Sequence, residues 1–226
     1  MSVREEARRI HEQFHNSAGS QHIGSEHAVQ GLIRWVERRR PRTVLEVGAG
    51  IGTLTYTLVR TLDRLAAESR TEGRAPYTMV AVEAHPYCVG ELKRNLAEHL
   101  ARFRLVADMD ELPEDFPPRD FVVVDGGVLD DRYFSALEPR AVVFVEGSRA
   151  EQRKVAERVM GGRPWVRANF RPAGGGGYWL YQLEPTPAER AWFASWNAFA
   201  RTRGAVLRLV GRGAGPDAAA RPPATV

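Results

Sequence analysis

Short runs rich in β-branched residues recur through the middle of the chain: TVLEV at 43–47, YTMVAVE at 77–83, RFRLVA at 102–107, DFVVVD at 120–125 and AVVFVE at 141–146. Longer stretches of helical pattern separate them. Such alternation argues for parallel strands joined by crossover helices, and the nearly all-apolar central runs suit strands covered on both faces. PWVRANF and YWLYQL follow, flanking RPAGGGG at 171–177, a connection flexible enough to let them pair antiparallel. The expected architecture is a doubly wound, mostly parallel sheet of seven strands that ends in an antiparallel hairpin. No internal repeat interrupts it.

The ends differ from this middle. Residues 2–15 read as a charged helix with Ile10 and Phe14 inward, followed by the loop NSAGSQHIG and a second helix over about 25–40, with Ser25 as a suitable N-cap. Residues 1–40 are therefore expected to form a helical cover over a core spanning 41–184. In an extension over 185–210, Trp192, Trp196 and Phe199 fall on one helical face with Phe193 beside them, a face for packing on the core or on a second subunit. A homodimer through the terminal helices is compatible with this pattern. The tail GRGAGPDAAARPPATV, 211–226, is low in complexity and reads as disordered.

Composition narrows the function classes. Hydrophobic residues at 43% and charged residues at 27% are ordinary for a folded globular chain. No run of about 18 apolar residues suggests a membrane span, and MSVREEARRI is charged where a secretory signal would be apolar, so a cytoplasmic protein is expected. The excess of 32 Lys and Arg over 28 Asp and Glu is mild. Basic residues cluster briefly, as in ERRRPR at 37–42, without interleaved aromatics, which suits a solvated helix end better than nucleic-acid binding. The single cysteine, Cys88, cannot form an internal disulfide and reads as a small buried apolar residue.

HEQFH at 11–15 has the His-Glu-x-x-His spacing of zinc protease helices. A match with three fixed positions arises often by chance, and a protease needs a third metal ligand and a scaffold strand beside the substrate. The chain spends its strands elsewhere, so the segment is expected to act as a lid helix that lends at most His15 to a site.

VLEVGAGIGTLT, 44–55, ends a strand in a glycine turn and opens a helix. Gly48, Gly50 and Gly52 allow a sharp turn and close approach of a ligand, and the following helix N-terminus offers free N–H groups. Many nucleotide binders share this. Glu46, two residues before the first glycine, is more particular: a carboxylate there matches a cationic ligand, such as a sulfonium or amino group, better than a pyrophosphate. Glu83, ending the next strand, is placed to accept hydrogen bonds from ribose hydroxyls, although it follows Gly52 by more than the roughly 20 residues typical of nucleotide-binding units. The polar stretch RLAAESRTEGRAPYT accounts for the excess as a longer helix plus loop.

With these residues the chain resembles the class I S-adenosylmethionine-dependent methyltransferases over roughly residues 21–182, and with them a seven-stranded Rossmann-like sheet. QHIGSEHAVQGLI, AVEAHPYC and VVVDGGVLDDRY look closest to segments of the small catechol-type O-methyltransferases. The resemblance implies that Glu46, Gly48, Gly50 and Gly52 line the methionine part of the cofactor, that Glu83 binds its ribose, and that Ala84, Asp108 and Met109 lie near its adenine. It implies a backbone contact from His22 and Ile23 to the methionine carboxylate, and it puts Asp125 beside the transferred methyl group.

In the catechol-type family a divalent cation held by acidic residues at the tips of the fourth and fifth strands lowers the acceptor hydroxyl's pKa, and a lysine after the fourth strand takes the proton. This chain carries Asp125 and Glu146 at those tips, but Gly147 follows Glu146 and no lysine follows Asp125. Magnesium on Asp125 and Glu146, with water completing its shell, is one expectation; the other is proton abstraction by Asp125, His22 or His15. His27 and His85 read equally well as helix-surface residues. The DGG after the fourth strand lacks the motif of base-amine methyltransferases and is expected to leave room for a bulkier acceptor or a mobile loop.

The expected function is methyl transfer from S-adenosylmethionine to an oxygen of a small molecule by in-line displacement, of the kind used in specialised metabolism. The alternatives are a catalytically degraded S-adenosylmethionine-binding module and, disfavoured by Glu46, an NAD-dependent oxidoreductase.

Overall fold

The apolar runs form the strands of one seven-stranded sheet. In the computed structural model these are β1 (Thr43–Val47), β2 (Thr78–Val82), β3 (Arg104–Val106), β4 (Arg119–Val124), β5 (Leu137–Glu146), β6 (Trp165–Phe170) and β7 (Tyr178–Leu183), ordered 3-2-1-4-5-7-6. The structure describes residues 1–70, 77–128, 130–147, 149–172 and 176–211, without the side chains of 69–70 and 203–211. The first five strands are parallel, and β7 runs antiparallel to both β5 and β6.

Strand alternation sorts the core into two layers. Val44, Phe121, Val123, Val142, Phe144 and Leu180 face one side, which also takes buried residues from α1 (Val3–His15), α2 (Glu26–Arg39), α3 (Thr53–Arg70), α4 (Pro86–Asn95) and α7 (Pro187–Gly211). Leu45, Val47, Val122, Val124, Val143 and Val145 face the other, covered by α5 (Arg132–Ser135) and α6 (Ala150–Met160). Each such buried aliphatic or aromatic side chain contributes about 1.5–3 kcal/mol.

Local chemistry fixes the helices of the cover. Ser2 and Glu5 form a reciprocal capping box at the start of α1, and Ala7, Ile10 and Phe14 bury one face of it against α2 and α3. Ser25 caps α2 by accepting the Ala28 N–H. Gly31 lets α2 settle on the hairpin: a Cβ there would lie 2.1 Å from a ring carbon of Tyr178, so Gly31→Ala would lift the helix.

Several boundaries shift. β5 starts at Leu137, before the expected AVVFVE, while β2 and β3 are shorter than read. α3 continues to Arg70, and the rest of the expected long crossover, 71–76, lies outside the described residues, as does 212–226 of the tail. Among the described residues no helix is long and apolar enough to cross a membrane.

Candidate functional site

The strand order reverses between β1 and β4, so the carboxyl ends of these neighbours open a crevice, the usual place for a ligand in such sheets. The glycine turn after β1 forms one wall. Gly48 has φ +77°, and a Cβ there would lie 2.7 Å from the Gly126 nitrogen of the turn after β4. A Cβ on Gly127 would lie 2.8 Å from a Val47 methyl carbon, so the turn after β4 packs closely on β1 and its glycine turn. Gly50 has φ +57°, and its Cβ would meet the His22 carbonyl oxygen at 2.5 Å. The loop between α1 and α2 thus closes over the glycine turn.

The turn is also tied to β2. Glu83 accepts the Gly50 N–H at 2.7 Å and the His85 N–H at 2.8 Å, one on each oxygen, which leaves a lone pair on each for further donors. Asn95, at the end of α4, donates to the Ile51 carbonyl at 3.0 Å. The His22 and His85 rings stand 6.4 Å apart beside this turn.

Glu46 is fully buried, and neither of its carboxylate oxygens has a hydrogen-bond partner; the Thr53 and Thr55 hydroxyls of the first turn of α3 are also buried without one. Burial pushes the Glu46 carboxyl up to about 8, with the Glu83 charge adding to the shift and the Thr55 hydroxyl easing it. Thr55 is near enough to be felt electrostatically but stands outside hydrogen-bond geometry. More than nine in ten buried polar groups find a partner, so three orphans beside one turn mark donors and acceptors left for a ligand. A cationic group with N–H donors fits them, as the amino-acid end of S-adenosylmethionine would.

The β4–β5 side is arranged differently. The Asp125 side chain, 11% exposed, accepts from the Arg149 guanidinium at 2.9 Å, and the same nitrogen donates to the Asp125 carbonyl at 2.8 Å. Glu146 accepts the Ser25 N–H at 3.3 Å and the Ser25 hydroxyl at 3.1 Å. Burial and the neighbouring Glu146 carboxyl, close enough to hydrogen-bond, raise the Asp125 pKa; Arg149 opposes both. Arg149 holds this position at the foot of α6 with φ +20°. Strained backbone of this kind persists where its surroundings hold it.

These two carboxylates do not fit the expected magnesium. Each gives one oxygen to a donor of the chain itself, Asp125 to Arg149 and Glu146 to Ser25, and a guanidinium occupies the cationic place. In HEQFH the His11 and His15 rings stack with centres 5.9 Å apart, and among the described residues no third His, Cys, Asp or Glu groups with them.

The remaining expected residues scatter around the crevice. Met109 is buried, Ala84 and Asp108 are exposed, and Ile23 is half-buried; Asp108 accepts the Asp110 N–H at 2.8 Å. His15 is exposed at the end of α1, which packs on α2 and α3, and the loop that follows covers the glycine turn. His22 is exposed within that loop. Sequence reasoning missed Arg149, Thr53, Thr55 and the bond from Ser25 to Glu146. Only Thr53 and Thr55 carried a signal, as hydroxyls directly after the glycine turn.

No family model and no curated protein sequence matches the chain. Solved structures do match in fold. An O-methyltransferase from Bacillus cereus, in complex with SAH, superposes with a TM-score of 0.56 at 18% identity, covering 81% of this chain and 90% of that one. TomG, an O-methyltransferase from Streptomyces achromogenes involved in tomaymycin synthesis, solved with SAM, gives 0.54 at 18% identity over 81% and 89%. A precorrin-6y C5,15-methyltransferase from Geobacter metallireducens gives 0.55 at 14% identity over 74% and 92%. The chain has the fold of class I SAM-dependent methyltransferases, and that fold serves proteins with different acceptors.

Proposed function

We propose that the chain is an S-adenosylmethionine-dependent methyltransferase that acts on an oxygen of a small molecule. The observation that carries this is Glu46, a buried carboxylate with two unpartnered oxygens beside the glycine turn. A nicotinamide dinucleotide would bring a pyrophosphate against it, which the like charge disfavours.

S-adenosylmethionine, when bound, supplies a methyl group on a positively charged sulfur. Glu46 would meet the amino-acid end of the cofactor, together with the Thr53 and Thr55 hydroxyls, and Glu83 would accept from ribose hydroxyls with its remaining lone pairs. Ile23 and His22 would meet the methionine carboxylate, and Ala84, Asp108 and Met109 the adenine. The displacement asks chiefly for alignment and for removal of the acceptor's proton. Asp125, its pKa raised by burial, would take that proton, while Arg149 holds it in place.

Isothermal titration of the purified chain with S-adenosylmethionine and S-adenosylhomocysteine tests the reading; absence of binding by both, or binding of NAD in competition with them, would sink it. A second reading, a cofactor-binding module without turnover, is favoured by the prior engagement of Asp125 and Glu146. Tight cofactor binding without methylated product across a broad panel of hydroxylated acceptors would select it.

A further inference from the structure

A second cavity, of about 720 Å³, lies between α2, α7 and the β6–β7 hairpin. Phe170 and Tyr178, cross-strand neighbours, line it with rings stacked 4.7 Å apart, and Trp196 stacks on Phe170 at 4.6 Å. Trp35 and Trp192 complete an aromatic wall, meeting edge to face at 5.7 Å. Tyr178 pairs with Glu146 on β5, so the cavity begins one strand, about 4.8 Å, beyond the carboxylate pair.

Its charge is one-sided. Arg4, Arg34, Arg38 and Arg171 line it, and no acidic residue does. Elsewhere arginines find carboxylates, as Arg39 does with Glu189 and Arg60 with Glu6, whereas none of these four has an ion pair among the described residues. The Arg38 guanidinium lies 5.4 Å from the ring centres of both Trp35 and Trp192. Uncompensated guanidinium groups around an apolar cavity repel one another, and an anion entering there relieves that repulsion. Aromatic faces select a flat partner, and a guanidinium beside them selects a planar oxyanion.

We infer that this cavity binds a planar aromatic anion, its ring among Phe170, Trp192 and Trp196 and its carboxylate, sulfonate or phosphate on the Arg34, Arg38 and Arg171 guanidinium groups. Two other occupants fit less well. A two-fold contact with a second copy would press the same arginines against each other. The chain's own segment 203–226 carries Arg203, Arg208, Arg212 and Arg221 against Asp217 alone, so it too is cationic. The inference is independent of the methyl-transfer reading.

Calorimetric titration of the full chain with 2-naphthoate, and with the neutral 2-naphthalenemethanol, tests it. Naphthoate is expected to bind at least tenfold more tightly than the alcohol and to weaken as salt rises. Arg38→Gln and, as a solvent-facing variant that spares the tryptophan contacts, Arg34→Gln should each lower naphthoate affinity several-fold with S-adenosylhomocysteine affinity unchanged. Equal binding of the two probes, no binding by the parent chain, or parental affinity in both variants would overturn the inference. So would a dimer, seen by light scattering, whose formation excludes naphthoate. Loss of S-adenosylhomocysteine binding in the parent bears on the proposed function alone.

Discussion

Glu46 on β1 and Asp125 at the end of β4 stand on neighbouring strands, and burial raises the pKa of both. Their surroundings diverge. Asp125 has a guanidinium on it, and its neighbour Glu146 has the two Ser25 donors; neither Glu46 oxygen has a hydrogen-bond partner. One half of the crevice is neutralised from within the chain and the other is left for something the chain does not supply. A cavity that needs an outside cation to be at ease is a binding site in the thermodynamic sense, because ligand and proton compete for the same carboxylate.

The largest expected effect comes from removing that charge. Glu46→Gln should weaken S-adenosylmethionine roughly 10- to 100-fold, the range for losing a hydrogen bond to a charged group. Stability should move the other way. Below the ordinary value of 4.5 Glu46 is protonated whether folded or not; between 4.5 and about 8 the folded chain retains a proton that the unfolded chain releases, so stability falls as pH rises through that window. The variant escapes this loss and, less the cost of a buried amide, should be more stable than the parent by roughly 2 kcal/mol at pH 8 but not at pH 5. Cofactor binding by the parent should release a proton between pH 6 and 8, visible as a dependence of titration heat on buffer ionisation. A higher parental melting temperature at pH 8, or no proton release, would place Glu46 among ordinary charged residues.

The two halves were unequally legible. Gly48, Gly50, Gly52, Glu46 and Glu83 lie at the ends of two strands whose apolar patterns are plain, and the glycine turn has its own local signature, so a linear reading assembles that wall. The mostly parallel sheet and the terminal hairpin followed from alternation and from RPAGGGG, whereas the order 3-2-1-4-5-7-6 is visible only in the fold. Arg149 was not legible. Its role depends on a left-handed backbone position at the foot of α6 and on a carbonyl and carboxylate 24 residues away, and nothing in SRAEQRK distinguishes one arginine from the next. The magnesium expectation had the same blind spot: two acidic strand tips look like ligands until Arg149 is seen to pair with one and Ser25 to donate to the other. Ser25 was read as a cap and is one, but a cap's remaining hydrogen-bond capacity is set by tertiary packing.

The next effect, in size, probes the neutralised half. Arg149→Ala should cost about 1–2 kcal/mol at pH 8, less than the ~3–5 typical of breaking a fully buried pair, because the guanidinium is partly exposed. Without it the Asp125 pKa rises further, so the cost should shrink as pH falls below the raised folded-state pKa, where the carboxyl is neutral in folded parent and folded variant alike. Thermal melts of parent and variant across this range read it directly. S-adenosylmethionine affinity should stay within about threefold, since Arg149 bonds to Asp125 and has no hydrogen bond to the Glu46 and Glu83 side. A pH-independent cost would mean that Arg149 matters for packing and not for the charge on Asp125.

Smaller again is Ser25→Ala, which removes the α2 cap and one of two donors to Glu146, at about 1 kcal/mol. The least effect is expected from HEQFH. His11 is half-buried and His15 exposed, their rings stacked along one face of α1, and Phe14 between them anchors the helix in the core. His11→Ala and His15→Ala should each change stability by no more than about 0.5 kcal/mol and leave cofactor affinity unmoved, whereas Phe14→Ala, vacating a fully buried site, should cost about 3–5 kcal/mol. If His15→Ala instead weakened S-adenosylmethionine several-fold, α1 would have to lie over the crevice in solution, and the division between a covering loop and a supporting helix would be wrong.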